Sequence, residues 1–407
     1  MAVRLDKLPP LARRPTRPSV WLWLGLLLLC LFIGIVGAFL IADATLHQQP
    51  ADFWSLALGL PFLGWCVLGF ARVLLHSGQQ SAADGWDDAR EKDRIRRLRK
   101  GRRSQQVLGA SYYTALRDSA AESLTQLDAL MAGVKALKTQ PFRIDGAPLS
   151  HSRLLEDPGG DLEVTLLSVL NQSLADLAPI LSLLPEEKPL ALLLEVDCRL
   201  PEAQWRPAWR KAWCESGIRQ SVVPVEGCGL AAVDRWLDQR IDDQALLMVL
   251  AVQLAPDQPE DTAEAAVGLL FGNRLTQSDL PPIAYLHRPE QQREATDAGL
   301  LCSACQALDW APLQGQSIEQ VWRAGVGGQR QVESVLFDVP MPVKPPQRFC
   351  NLDALLGHAG KASSWLAIAA AAQTIERGAG PQFVLTGGAA ADGLWSTVLM
   401  PVPPLSK

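Results

Sequence analysis

Leu355-Leu356-Gly357-His358-Ala359-Gly360-Lys361-Ala362-Ser363-Ser364-Trp365-Leu366-Ala367-Ile368 sets a histidine in a glycine turn that opens onto a small-residue helix running to Glu376. Two short apolar runs, 383–386 and 396–401, close the chain behind it and read as strands. Upstream, helix and strand signals alternate. Residues 162–183, 205–214 and 230–240 carry the helical period, while 189–196 is a short apolar run bounded by Pro and Asp, the pattern of a buried strand. Further strands are expected at 219–225, 245–252, 265–271, 332–339 and, more weakly, 282–286, with a short helix at 318–323. Strands alternating with helices predict an α/β sheet with helices on both faces. No repeat at a solenoid period is present.

A second stretch carries chemistry. In Glu226-Gly227-Cys228-Gly229-Leu230-Ala231-Ala232-Val233-Asp234-Arg235-Trp236-Leu237 a cysteine between glycines opens a helix, and the apolar strand Leu246-Leu247-Met248-Val249-Leu250-Ala251-Val252 follows. At a helix N-terminus the macrodipole favours a thiolate, which activates nucleophilic cysteines.

At these two stretches the chain resembles the thiolase and β-ketoacyl synthase superfamily over residues 160–407. The resemblance implies a thiolase-like α/β domain that pairs as a homodimer. It places Cys228 at the acyl-accepting nucleophile, His358 at the late catalytic histidine and residues 387–391 at the terminal glycine loop. It also implies a second histidine, or an equivalent polar group, after the strand that precedes the late one. Here the 332–338 strand runs into Val339-Pro340-Met341-Pro342 without a histidine. His287 lies in Tyr285-Leu286-His287-Arg288-Pro289, a context that does not match. Losing one member of a cooperating catalytic set is severe. Two readings stay open: a non-catalytic thiolase-like domain, and a membrane-tethered acyltransferase or condensing enzyme using Cys228 and His358. Beside both stands the plain reading, a buried cysteine at a helix start and a histidine satisfied in a tight turn. No cofactor or metal is expected.

The first part of the chain is of another kind. Residues 20–42 carry no charge, and neither do residues 53–71. A hydrocarbon core about 30 Å thick takes roughly 20 apolar residues of helix to cross, and a membrane helix tolerates a proline such as Pro61 when neighbours satisfy the freed carbonyl. Arg4, Lys7, Arg13, Arg14 and Arg17 precede the first run, and Arg72 with the cluster from Arg90 to Arg103 follows the second. The link between them has Asp43, His47 and Asp52 but neither Lys nor Arg. Basic residues stay on the cytoplasmic side, so both termini are expected inside a bacterial inner membrane. The expected divisions are a basic N-terminus at 1–19, a transmembrane hairpin at 20–75, a charged juxtamembrane connector at 76–110, helical through 87–103, and a cytoplasmic α/β domain at 111–407. That domain opens on a helix at 112–137 with Leu116, Ala120, Leu124, Leu127, Leu130 and Val134 on one stripe. The build, through Ala83-Asp84-Gly85-Trp86-Asp87 and Gly101-Arg102-Arg103-Ser104-Gln105-Gln106-Val107-Leu108, also resembles membrane proteins that accompany type VI secretion effector genes in proteobacteria. That implies an accessory role in handling a secretion effector or component.

A net charge of −5 gives no global attraction to nucleic acid, so none is expected as partner; the bilayer is. The eight cysteines, in a cytoplasmic setting, are expected as thiols. Cys302-Ser303-Ala304-Cys305 has redox or zinc spacing but lacks a second pair, and reads as two small buried residues. Trp205, Trp209 and Trp213 recur at helical spacing as a packing stripe. Gly325-Val326-Gly327-Gly328 lacks the helix and lysine of a phosphate loop.

Overall fold

The structure, a computed structural model, describes residues 3, 5, 7–41, 50–119, 125–154, 161–326, 349–387 and 393–403. They form two compact units, Arg4–Leu98 and a body of Arg99–Lys407 with Met1–Val3. Three helical stretches are long and apolar enough to cross a membrane: Val20–Leu40, Ala51–Gly101 and Leu162–Ser182.

In the first unit, α1 (Val20–Ile41) is apolar on every side. The second stretch is α2 (Pro50–Trp54), a π-turn (Ser55–Gly59) and α3 (Leu60–Gly101). Pro61 has no N–H to donate and crowds the carbonyl four residues back, and the widened turn just before it absorbs that mismatch. Gly34 of α1 sits against this turn, where a Cβ would lie 2.2 Å from Pro61 Cγ and 2.4 Å from the Ala57 carbonyl oxygen. The Trp65 indole N–H donates to the Trp23 carbonyl at 3.0 Å, and the Phe39 and Phe53 rings meet edge-on. Beyond the apolar part α3 continues without a break to Gly101, through most of the expected connector. Ion pairs one turn apart, Asp88–Lys92, Glu91–Arg94 and Asp93–Arg97, line its surface, solvated pairs that add little to stability.

The body opens with β1 (Ser104–Tyr113), α4 (Leu116–Ser119), α5 (Gln126–Met131), β2 (Lys138–Pro141) and β3 (Pro148–Ser152). Then come α6 (Leu162–Ser182), β4 (Leu190–Cys198), α7 (Glu202–Glu215), β5 (Val222–Pro224), α8 (Gly229–Gln239), β6 (Leu246–Leu254), β7 (Thr262–Ala263) and β8 (Ala265–Asn273). A second run follows with β9 (Ala284–His287), β10 (Glu290–Gln291), α9 (Asp297–Trp310), β11 (Gln320–Ala324) and β12 (Phe349–Asn351). It ends with α10 (Leu352–Leu356), α11 (Ser363–Glu376), β13 (Gln382–Gly387) and β14 (Leu394–Pro401).

The two runs are copies of one topology. Taking β1, β4, β5, β6 and β8 as strands one to five, their spatial order is three-two-four-five-one; β9, β11, β12, β13 and β14 repeat it. In each half the second strand lies parallel to the third and fourth, and the fifth is antiparallel to its neighbours. The halves join where β1 pairs with β9. β2, β3 and β7 make a separate small sheet.

The apolar strands are buried on both faces, as strands covered by helices on each side are. Along β6, Leu247, Val249 and Ala251 face a central cluster with Val233, Trp236 and Leu237 of α8 and Trp365 to Ala372 of α11. The alternate residues Leu246, Met248, Leu250 and Val252 pack on Leu166, Leu170, Leu174 and Leu177 of α6. Leu300, Ala304 and Ala307 of α9 cover Val321, Phe383 and Leu385 on the outer side of the second half. Helix α11 is buried from Ser363 to Ala372. Its alanines are what a helix enclosed on all sides requires to pack at interior density.

Four expectations change. Residues 104–113, where a helix end and connector were expected, form a central strand. Among the described residues of the helix expected at 112–137 are a strand end and two short helices. Residues 320–324 are a strand where a helix was expected at 318–323. Helix α9, around Cys302 and Cys305, was not anticipated. The strand expected at 332–339 lies outside the described residues, as do residues 388–391 of the expected terminal glycine loop.

Candidate functional site

Cys228 and His358 occupy corresponding positions in the two halves. Cys228 follows the third strand, β5, and caps α8; His358 follows the third strand of the second half, β12, and precedes α11. The glycines beside Cys228 have φ of 119° at Gly227 and 51° at Gly229, which a residue with a Cβ adopts only under strain. This turn holds Cys228 in an exposed position, not the buried one of the plain reading.

The His358 turn is held by backbone. Its N–H donates to the Asp261 carbonyl at 2.9 Å, and its carbonyl accepts from the Ala263 N–H at 3.0 Å. The buried Gln253 side chain donates to that same carbonyl at 2.8 Å and to the Ala263 carbonyl at 2.9 Å. Gly357, at φ 99°, has the Thr262 carbonyl oxygen 2.5 Å from where its Cβ would be, so a side chain there collides with backbone. The Gly360 N–H donates to His358 Nδ1 at 3.1 Å. Nδ1 therefore carries no proton in the neutral ring, and Nε2 presents an N–H: His358 is arranged as a hydrogen-bond donor.

Beneath both turns lies a residue the sequence reading passed over. Glu195 is on the inner face of β4, almost fully buried. One carboxylate oxygen accepts the Gly229 N–H at the start of α8, and the other accepts the Trp365 indole N–H of α11 at 2.8 Å. Burial pushes the Glu195 carboxyl above its ordinary value, against the opposing pull of these two donors and Lys361. Asp197, two residues along the same face, pairs in register with Gln253. The signal was present in the sequence: Leu194-Glu195-Val196 puts a charge within a run read as buried strand.

The second half has its own carboxylate. Asp353 of α10 accepts the backbone N–H groups of Gly325 and Val326, at 2.7 and 2.9 Å, just after β11. This is the end of the second strand of its half, and a glycine with φ of 70° stands there. No hydrogen bond joins Cys228 to His358 among the described residues.

The other candidates lie elsewhere. His287 ends β9 with Nδ1 3.2 Å from the Trp310 carbonyl, and burial pushes it down to about 4. Cys302 and Cys305 are exposed on α9, not buried as expected. Trp205, Trp209 and Trp213 pack half-buried on the α6 side, as a packing stripe does. No group of three His, Cys, Asp or Glu among the described residues could hold a metal. A cleft lined by Leu190, Val223, Arg240 and Asp243 opens at the other end of β4 from Glu195.

No family model and no curated protein matches the sequence. Solved structures do match. The ishigamide ketosynthase/chain length factor superposes with a TM-score of 0.50 at 14% identity, covering 74% of this chain and 99% of that one. Peroxisomal 3-ketoacyl-CoA thiolase of Saccharomyces cerevisiae gives 0.45 at 12% identity, covering 75% and 100%. Human mitochondrial 3-ketoacyl-CoA thiolase gives 0.47 at 9% identity, covering 75% and 100%. The superposition at 0.50 shows the body to have the thiolase and ketosynthase fold.

Proposed function

We propose that this chain is a membrane-anchored scaffold whose thiolase-like body no longer performs condensation. Both termini would be cytoplasmic, with the α1 to α3 segment spanning the inner membrane as a hairpin. The observation that carries the reading is Glu195 at the start of α8. A nucleophile at Cys228 would draw on the amides that open that helix, but the Gly229 N–H already donates to the Glu195 carboxylate there. Asp353 likewise takes the amides of Gly325 and Val326, donors that an oxyanion would otherwise use.

On this reading the body holds a protein partner at the membrane. An accessory role toward a type VI secretion effector rests on the sequence resemblance around Gly85-Trp86-Asp87, and a homodimer rests on the thiolase resemblance. The test uses the full chain in nanodiscs with acyl thioesters on coenzyme A and on a carrier protein. Intact-mass spectrometry should find no acyl adduct on Cys228, and Cys228→Ala with His358→Ala should leave effector handling unchanged. A stoichiometric adduct lost in Cys228→Ala would overturn the scaffold reading. It would establish the second one, a tethered acyltransferase, which the exposed Cys228 and the donor tautomer of His358 favour.

A further inference from the structure

Helix α9 buries one side and shows a reactive stripe on the other. Leu300, Ala304, Ala307 and Leu308 are buried, while Cys302, Cys305 and Asp309 are exposed. The exposed three follow one another at three and four residues, so they share one face of the helix. The helix is held in place from both its start and its buried side. Thr296 Oγ1 accepts the Gly299 N–H at 3.1 Å, and a Cβ on Gly299 would lie 2.3 Å from the Glu294 carbonyl oxygen. The buried side packs on Val321, Phe383 and Leu385. Cys302 and Cys305 are both free thiols, and no other two cysteines of the chain lie within one helical turn in sequence. Burial, then Asp309 and then Cys302, push the Cys305 thiol above its ordinary value.

We propose that Cys302 and Cys305 form a binding site for one soft, two-coordinate cation of the Cu(I) kind. Spacing carries the choice of chemistry. Residues three apart on a helix hold their Cβ atoms about 5–6 Å apart. A disulfide needs about 3.5–4.5 Å, so closing one would distort a turn that the buried side of α9 fixes. Two metal–sulfur bonds of about 2.3 Å each, the length in zinc thiolates, span about 4.6 Å between the sulfurs. The two side chains reach that separation with the backbone where it stands. The number of ligands then selects the cation. Thiolates favour Cu(I), zinc and iron–sulfur clusters, but structural zinc and the clusters take four protein ligands. No group of three His, Cys, Asp or Glu suited to a metal occurs among the described residues. A lone pair of thiolates satisfies Cu(I). Binding takes up one cation and releases one proton from each thiol to solvent, with no electron transferred. A redox role would need a ready thiolate, and the raised Cys305 thiol is the opposite. The site lies apart from the Cys228 and His358 turns and holds whichever reading of them is right.

The experiment titrates the reduced full chain in nanodiscs with Cu(I) under argon, against the chelator bicinchoninate. The chain should withhold one equivalent of Cu(I). Cys302→Ser and Cys305→Ser should each weaken that retention at least tenfold, and Cys214→Ser, which removes an exposed thiol on α7, less than twofold. Serine is close to cysteine in size and both positions face solvent, so the variants should keep the wild-type Tm. Labelling by iodoacetamide, read site by site by mass spectrometry, gives a second measure. One equivalent of Cu(I) should slow labelling of Cys302 and Cys305 at least fivefold and leave Cys214 and Cys228 within twofold. X-ray absorption of the loaded chain should show two sulfur neighbours and no nitrogen or oxygen. Failure to withhold Cu(I), equal loss in Cys214→Ser, protection spread over the other cysteines, or a nitrogen or oxygen neighbour would each overturn the site.

Discussion

In the first half of the body, a carboxylate from the sheet itself, Glu195 of β4, rises to the start of the half's own helix α8. In the second half the carboxylate comes from a helix, Asp353 of α10, and turns down onto the amides behind β11. The strand order is the same in both. Topology alone therefore places unpaired amides at the ends of the second strands and at the helix starts. Whether those amides face an incoming anion depends on one side chain in each half, supplied from different elements. Glu195 also crosses the boundary, because its second oxygen holds Trp365 of the other half's helix. The first carboxylate is thus a tie between halves, and the second a local lock.

The largest expected effect tests the tie. Trp365 is fully buried, so Trp365→Ala should cost about 3–5 kcal/mol in guanidinium unfolding and leave Glu195 with one donor fewer. A loss below about 1 kcal/mol would mean that the halves do not depend on this link. Next, Asp353→Ala removes two amide bonds to a charged acceptor and should cost about 2–3 kcal/mol, without changing Cys228 labelling. Faster labelling in that variant would break the claim that Asp353 is local.

Glu195→Gln gives a smaller change in stability. It also carries a pH signature. The native Glu195 carboxyl lies above its ordinary value, so the folded chain keeps this proton longer than the unfolded one. From the ordinary carboxylate value of about 4.3 up to the raised native one, the native state binds more protons, so this group's contribution falls as pH rises. Below that window and above it the contribution is level. The difference in unfolding free energy between wild type and Glu195→Gln should show this downward slope, and an upward one would mean the carboxylate is stabilised by its donors more than burial penalises it. Last, Lys92→Ala on the surface of α3 should cost less than about 0.5 kcal/mol, in keeping with an exposed pair.

Much of the α/β body was legible in the chain. Helices α6, α8 and α11 and strands β4 and β6 announce themselves by period and by runs of apolar residues, properties carried within one element. β1 was hidden because Ser104, Gln105 and Gln106 are buried polar residues next to a basic cluster, and only its neighbours β8 and β9 make it a strand. β11 was misread for a related reason: five residues are too few to show a period, and its state follows from pairing with β12 and β13. Of the site, Cys228 and His358 could be singled out by their glycines. Glu195 and Asp353 could not be given their roles, since nothing local says which amide each will meet.

The amino-acid sequence by itself determined two uncharged runs of membrane-spanning length, an alternating α/β body and the two turns that hold Cys228 and His358. Each is written in neighbours a few residues apart, where local sterics and periodic burial decide. Only the tertiary structure decided that the body is one topology used twice and that the start of α8 and the amides after β11 are already taken by carboxylates. Gly229 and Trp365 lie 34 and 170 residues from Glu195 along the chain. Contacts at such separations form only after the sheet has brought distant strands together, so no local pattern encodes them.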